Sequence, residues 1–215
     1  MRIALFIFIV FTTQHMSAQL WDTMQHTSPF RQYMPQQQLD GFNLRQLEIS
    51  KTGMYVLSCW GAANLLSGSV GIGLTHGEAQ AFHASNTIWG AVNLMIGVPG
   101  VLASYQKSKA LNRSFGYTIL RQHGVEKIFL INAIFDFAYI GAGATAWGFS
   151  DRISSEHTRN IISGGGKSFI MQGGFLLLFD WSMYIAQSQH AYRNLNRYTS
   201  GLAFTGTGVS YALAF

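Results

Sequence analysis

Two aspartates, Asp136 and Asp180, each stand in the middle of a long apolar stretch, and Asn64 and Asn93 hold the same place in two others. A polar or ionisable side chain at bilayer depth is costly, so it faces a bundle interior, a partner or a pathway rather than lipid. The four stretches, 52–74, 85–105, 125–149 and 167–187, are each long enough to cross ~30 Å of hydrocarbon at ~1.5 Å per residue. None alternates with period two over its length, so helices are expected rather than barrel strands. The predicted architecture is an all-α membrane protein: an antiparallel bundle of four transmembrane helices with an internal repeat, preceded by a signal peptide.

Composition agrees. Only 11% of the 215 residues are charged, against about a quarter in soluble domains. The net charge of +5 is spread without a basic run, so nucleic acid is not an expected partner. The single cysteine, Cys59, lies inside an apolar stretch. It leaves no disulfide framework and no cysteine-based zinc site.

Met1 and Arg2, a short apolar run, and a polar region ending Met16-Ser17-Ala18-Gln19 have the three-part form of a secretory signal. Cleavage is expected near Ala18 or Gln19. The chain then divides into a signal peptide (1–19), an exported polar arm (20–50), a transmembrane domain (51–190) and a Gly/Thr-rich tail (191–215). The tail alternates Tyr211, Leu213 and Phe215 with alanines. It resembles a last barrel strand, yet one strand closes no barrel and an open edge is excluded in lipid; a docking segment is expected instead.

Charge and signal disagree about orientation. An exported arm places the 106–124 connection on the exported side, and that connection carries Lys107, Lys109, Arg113 and Arg121. The 75–84 connection has no Lys or Arg, and in 150–166 Arg152 and Arg159 are offset by Asp151 and Glu156. This reverses the positive-inside expectation. Either the N-terminus is not translocated, or the protein resides where that rule does not operate, such as a Gram-negative outer membrane; the inner membrane is the first expectation.

The stretches also echo one another. Trp60-Gly61-Ala62-Ala63-Asn64-Leu65 recurs 29 positions on as Trp89-Gly90-Ala91-Val92-Asn93-Leu94, and the match extends to Gly68 with Gly97 and Gly71 with Gly100. A weaker echo joins Phe135-Asp136-Phe137 and Tyr139 to Phe179-Asp180-Trp181 and Tyr184. At helical spacing, Gly61, Asn64, Gly68 and Gly71 share one face, as do Asn86, Gly90, Asn93 and Gly97. Small residues let backbones approach, and asparagine can bridge helices for about 0.6–2 kcal/mol. Asn132, Asp136 and Tyr139 share a face of the third stretch; Gln172, Leu176, Asp180 and Tyr184 share one of the fourth. Asn64, Asn93, Asp136 and Asp180 lie within about two residues of mid-span, a common depth to ~3 Å.

Burial disfavours a charged carboxyl, and two close carboxyls disfavour it further. At least one aspartate is therefore expected to hold a proton, or to pair with Tyr139, Tyr184, an asparagine amide, water or a cation. Metal chemistry has thinner support: His76, Glu78, His83 and His157 fall in connections on one side of the membrane, but their spacing matches no established ligand pattern. Gly164-Gly165-Gly166-Lys167-Ser168 fails the phosphate-loop spacing because position 161 is Ile. It reads as a flexible linker with Lys167 snorkelling at the interface. No nucleophile elbow or dinucleotide fingerprint occurs, and no cofactor is expected.

The pattern Trp89-Gly90-x-x-Asn93-Leu94 with Pro99-Gly100, Asn132-x-x-x-Asp136-x-x-Tyr139, and Gln172-Gly173-x-Phe175 with Phe179-Asp180 and Tyr184 resembles an uncharacterised family of four-helix membrane proteins of Bacteroidota. The likeness covers roughly residues 50–190. It implies membrane residence and a shared helical core, and supplies no activity. Three functions fit these residues. The first is a structural or accessory subunit of the bacterial envelope, whose partners are the lipid bilayer and another membrane protein or a second copy. The others are a small proton- or cation-coupled transporter using the paired aspartates, and a metal-dependent membrane enzyme.

Overall fold

The computed structural model describes residues 34–199, 202–205 and 208–211. The expected signal peptide and the first part of the arm lie outside those residues. Four helices follow in order: α1 (Gln36–Leu74), α2 (Gly77–Ser104), α3 (Phe115–Phe149) and α4 (Glu156–Thr199). Each is long and apolar enough to cross a membrane. A hairpin of β1 (Leu202–Thr205) and β2 (Gly208–Tyr211) comes after them.

The helices run further than the apolar stretches do. At 39 residues α1 is roughly 58 Å long, well beyond the ~30 Å of a hydrocarbon core. Residues 36–50, expected as part of a separate arm, are therefore its first turns. At the other end of the chain, α4 carries 191–199 before the hairpin begins.

Connections are short and locally specified. The α1–α2 turn is Thr75 and His76, and Gly77 opens α2 at φ +61°, a left-handed conformation that favours glycine. Ser114 caps α3, its hydroxyl accepting the Tyr117 N–H at 3.2 Å. In the α2–α3 connection, the Asn112 N–H donates to Asp40 Oδ1 at 2.8 Å, tying the connection to the first turns of α1.

Paired residues give the helix directions. Gly61 meets Gly90 and Gly68 meets Thr87, so α1 and α2 are antiparallel. Gln122 bonds Gln187 while Gly143 meets Gly166, so α3 and α4 are antiparallel as well. Ser50 with Gln187, and Trp60 with Gln172, set α4 antiparallel to α1. Neighbours in the chain therefore alternate up and down. Packing is densest within the two hairpins, α1–α2 and α3–α4, and α2 against α4 joins them.

Burial is inverted relative to a water-soluble bundle. Leu66, Val70, Leu74, Ile134, Phe137 and Leu178 face outward at 61–77% exposure. The large side chains enclosed completely include Gln46, Gln122, Gln172, Gln187, Asn43 and Asn93. In water this arrangement would expose apolar surface and enclose amides. It suits a bundle whose exterior meets hydrocarbon and whose polar groups must find partners inside.

Glycines set the closest approaches. A Cβ at Gly61 would lie 2.9 Å from Gly90 O, and one at Gly90 would lie 2.7 Å from Gly61 O. The neighbours of Gly68 are His83 and Thr87, while those of Gly97 are Met54 and Ser58. Each pair of neighbours is the other shifted by 29 positions, the spacing of the sequence echo. Gly164-Gly165-Gly166 differs from expectation. It lies inside α4, where Gly164 packs on the α2 backbone at Phe82 and Gly166 on the α3 backbone at Gly143. These glycines are close-packing positions rather than a flexible linker.

Candidate intramembrane polar site

Polar side chains form distinct layers along the bundle, rather than the one cluster expected of Asn64, Asn93, Asp136 and Asp180. The first layer centres on Gln172 of α4, which is fully buried. Its Nε2 donates to Asn64 Oδ1 of α1 at 2.7 Å and to Asn86 Oδ1 of α2 at 3.0 Å, and its Oε1 accepts from Trp60 Nε1 at 2.9 Å. Ser168, one turn away, donates to the same Asn86 oxygen at 2.6 Å. The Trp60 ring lies flat on Phe175, centroids 4.0 Å apart, which holds the indole N–H toward the amide. Three helices are thereby locked in one register.

The second layer contains the carboxyls. Asp136 and Asp180 are 3% and 4% exposed, so both point into the bundle. The two carboxyls are near enough to influence one another, and Asn132, one turn before Asp136, lies beside Asp180. Two neighbouring carboxyls have no donor between them unless one carries a proton. Asp136 Oδ2 has no hydrogen-bond partner among the described residues, and neither does Asn93 Nδ2 of α2.

The tyrosines are placed differently from expectation. Tyr139 sets its ring edge-on to Trp89 at 5.3 Å, beside Phe169. Tyr184 packs beside Trp181 and the Leu57–Phe129–Phe179–Met183 cluster. Among the described residues neither hydroxyl bonds a carboxyl; the rings line the layer without bridging it. Aromatic packing, rather than hydrogen bonding, decided where they sit.

A third layer lies nearer the chain termini and was not anticipated. Gln46 Nε2 donates to Gln122 Oε1 at 2.7 Å, and Gln122 Nε2 donates to the Gln187 backbone O and to Glu126. Asn43 donates to Thr118 Oγ1 at 3.0 Å, and Gln187 to Ser50 Oγ. Asn43, Gln46 and Ser50 fall at i, i+3 and i+7, one helical face. That spacing was the available signal, hidden because the region read as an exported arm.

The metal candidates do not converge. Glu78 is bonded by Lys167 and Ser163, and Lys167 also lies over the Trp147 ring rather than snorkelling freely. The His83 ring packs against Gly71, and His76 precedes the first turn of α2. His157 stands in the first turn of α4. Among the described residues no three His, Cys, Asp or Glu side chains form a metal-holding group.

No curated protein and no solved structure matches the chain. A family of unknown function, DUF6992, matches residues 56–181. The matched span takes in both inner layers, from Asn64 to Asp180, and omits Asn43, Gln46 and Gln187 of the third. With more than half of its length matched, the chain belongs to the DUF6992 family.

Proposed function

We propose that this chain is an integral membrane protein of the bacterial envelope, acting as a structural or accessory subunit whose buried polar layers fix helix register. The observation that carries this reading is the Gln172 amide, which joins α1, α2 and α4 through three hydrogen bonds in a bundle with an apolar exterior. Hydrocarbon supplies no directional packing force between helices, so interhelical hydrogen bonds and glycine contacts select one arrangement. On this reading α1–α2 is a duplicated hairpin, related by a two-fold axis lying in the membrane plane.

A second reading has its own support. The Asp136 and Asp180 carboxyls adjoin, and Asp136 Oδ2 is left over. Such a pair can take up and release a proton, which suits a small proton- or cation-coupled transporter. Replacing both residues, Asp136→Asn with Asp180→Asn, separates the two readings. The structural role expects loss of folded protein from the membrane, whereas coupling expects normal abundance with loss of the cellular phenotype.

A further inference from the structure

A cavity of about 670 Å³ opens between the first turns of α1 and the last turns of α4. It lies outside every polar layer described above. Phe42 and Ile49 supply its apolar wall, while Arg45 and Arg193 reach it from the two helices. His190 is fixed in the wall: its ring stacks on Phe42 at 4.2 Å, its Nε2–H donates to Phe42 O, and Asn194 donates to its Nδ1. Arg45 is bonded to Glu48 at 3.1 Å, through one of its five donors; Arg193 has no ion pair among the described residues.

Depth and charge point to what fills it. Lys51 and Gln187 bound the apolar parts of α1 and α4, and Ser50 bonds Gln187, so the two boundaries are level. Arg45 precedes Lys51 by six residues and Arg193 follows Gln187 by six, which puts both about 9 Å outside the hydrocarbon. The headgroup layer of a bilayer extends roughly 5–8 Å beyond it, within reach of an arginine side chain. Ile49, about 3 Å out, sits where acyl chains begin.

The same end of the bundle is the basic one. Residues 36–51, 105–127 and 187–199 carry nine Lys/Arg against three Asp/Glu, while 73–84 and 148–167 at the opposite end carry three against three. We propose that this groove binds the phosphate of an anionic lipid, with Arg45 and Arg193 clamping the headgroup and Phe42 and Ile49 meeting the start of an acyl chain. A zwitterionic lipid offers the phosphate but cancels its charge, so anionic lipids are preferred.

The inference rests on membrane residence, which is tested separately by alkaline carbonate extraction. Release from membranes would overturn residence itself; retention leaves the lipid question open to its own measurement. The full chain, purified in detergent, is exposed to phosphatidylglycerol and phosphatidylcholine and examined by native mass spectrometry. Phosphatidylglycerol is expected to be retained about thirtyfold more, as for two arginines acting at an anionic surface. Arg45→Gln with Arg193→Gln should remove most of that preference, whereas Lys107→Gln with Lys109→Gln, at the same end but outside the groove, should keep it. Equal retention of the two lipids by the unaltered chain would overturn the site. So would equal loss in both double variants, which would make the preference a diffuse charge effect. Displacement of phosphatidylglycerol by millimolar inorganic phosphate would reassign the groove to a free anion.

Discussion

The Gln172 layer and the Asp136–Asp180 layer lie close together in one bundle, yet they treat polar atoms differently. Around Gln172 both ends of the amide are bonded, to a tryptophan and an asparagine of α1 and an asparagine of α2, and Ser168 of α4 donates to that same Asn86 oxygen. At the aspartates, one carboxyl oxygen, Asp136 Oδ2, is buried without a hydrogen-bond partner among the described residues. A saturated buried network confers register and rigidity, whereas an unsaturated one leaves a group free to bind or exchange. On the two readings proposed above, the first layer acts as a fastener and the second as a place where something can be held. Variants that damage packing, fastener and carboxyls in turn should therefore fail in distinguishable ways.

The largest effect is expected where backbones touch. Gly90→Leu would drive a side chain against the backbone at Leu65 and Gly61 in α1, which cannot yield as a flexible side chain does. Overpacking of this kind costs about 3 kcal/mol, and thermal unfolding in detergent should show it. Gly174→Leu is the matching control, since a Cβ there meets nothing within 4 Å. Equal loss at both positions would mean that helix propensity or detergent, rather than close approach, governs the bundle.

Next comes the fastener. Gln172→Leu removes three hydrogen bonds and leaves the Asn64 and Trp60 groups buried, a loss of about 2 kcal/mol. Reduced thermal stability with normal membrane insertion is the expected result. A change below about 0.5 kcal/mol would place the register elsewhere and undo the contrast between the layers.

Under the coupling reading, the paired aspartates should register in spectroscopy more than in stability. A shared proton gives the carbonyl infrared band of a protonated carboxyl, present in the unaltered chain and lost in Asp136→Asn with Asp180→Asn. Under the coupling reading the double variant stays folded, within about 1 kcal/mol, because an amide fills the same space and still offers a donor. Absence of the band from the unaltered chain would mean that neither carboxyl holds a proton.

Much of this was legible before any coordinates. The glycine stripes of the first two stretches read as faces that let backbones approach, and Gly61 and Gly90 do meet across α1 and α2. Mid-span placement gave Asp136 and Asp180 a common depth on separate helices, and both side chains are buried. What sequence alone missed was partner choice. Gln172 shares a face with Asp180, yet its amide turns to Asn64 and Asn86 of other helices, a choice set by rotation and lateral packing that spacing does not encode. Gln46 was overlooked for another reason: low hydropathy marked 36–50 as exported arm, although amides that bond one another can be enclosed. The triple glycine misled in the same way, since glycine signals flexibility in a loop and close approach in a membrane helix.

The smallest effect belongs to the ion pair at the neutral end, and it shows why burial rather than charge separates the layers. Glu78 and Lys167 join α2 to α4, with Ser163 bonding the same carboxylate and the Trp147 ring beneath the ammonium. Both side chains are more than a third exposed, so water screens the pair and its removal costs little. Glu78→Gln should lower stability by at most about 0.5 kcal/mol, and less in high salt. A loss comparable to that of Gln172→Leu would show that this end of the bundle is shielded from water. The ion pair would then join the buried layers as a third fastener, tying α2 to α4 where the amide network does not reach.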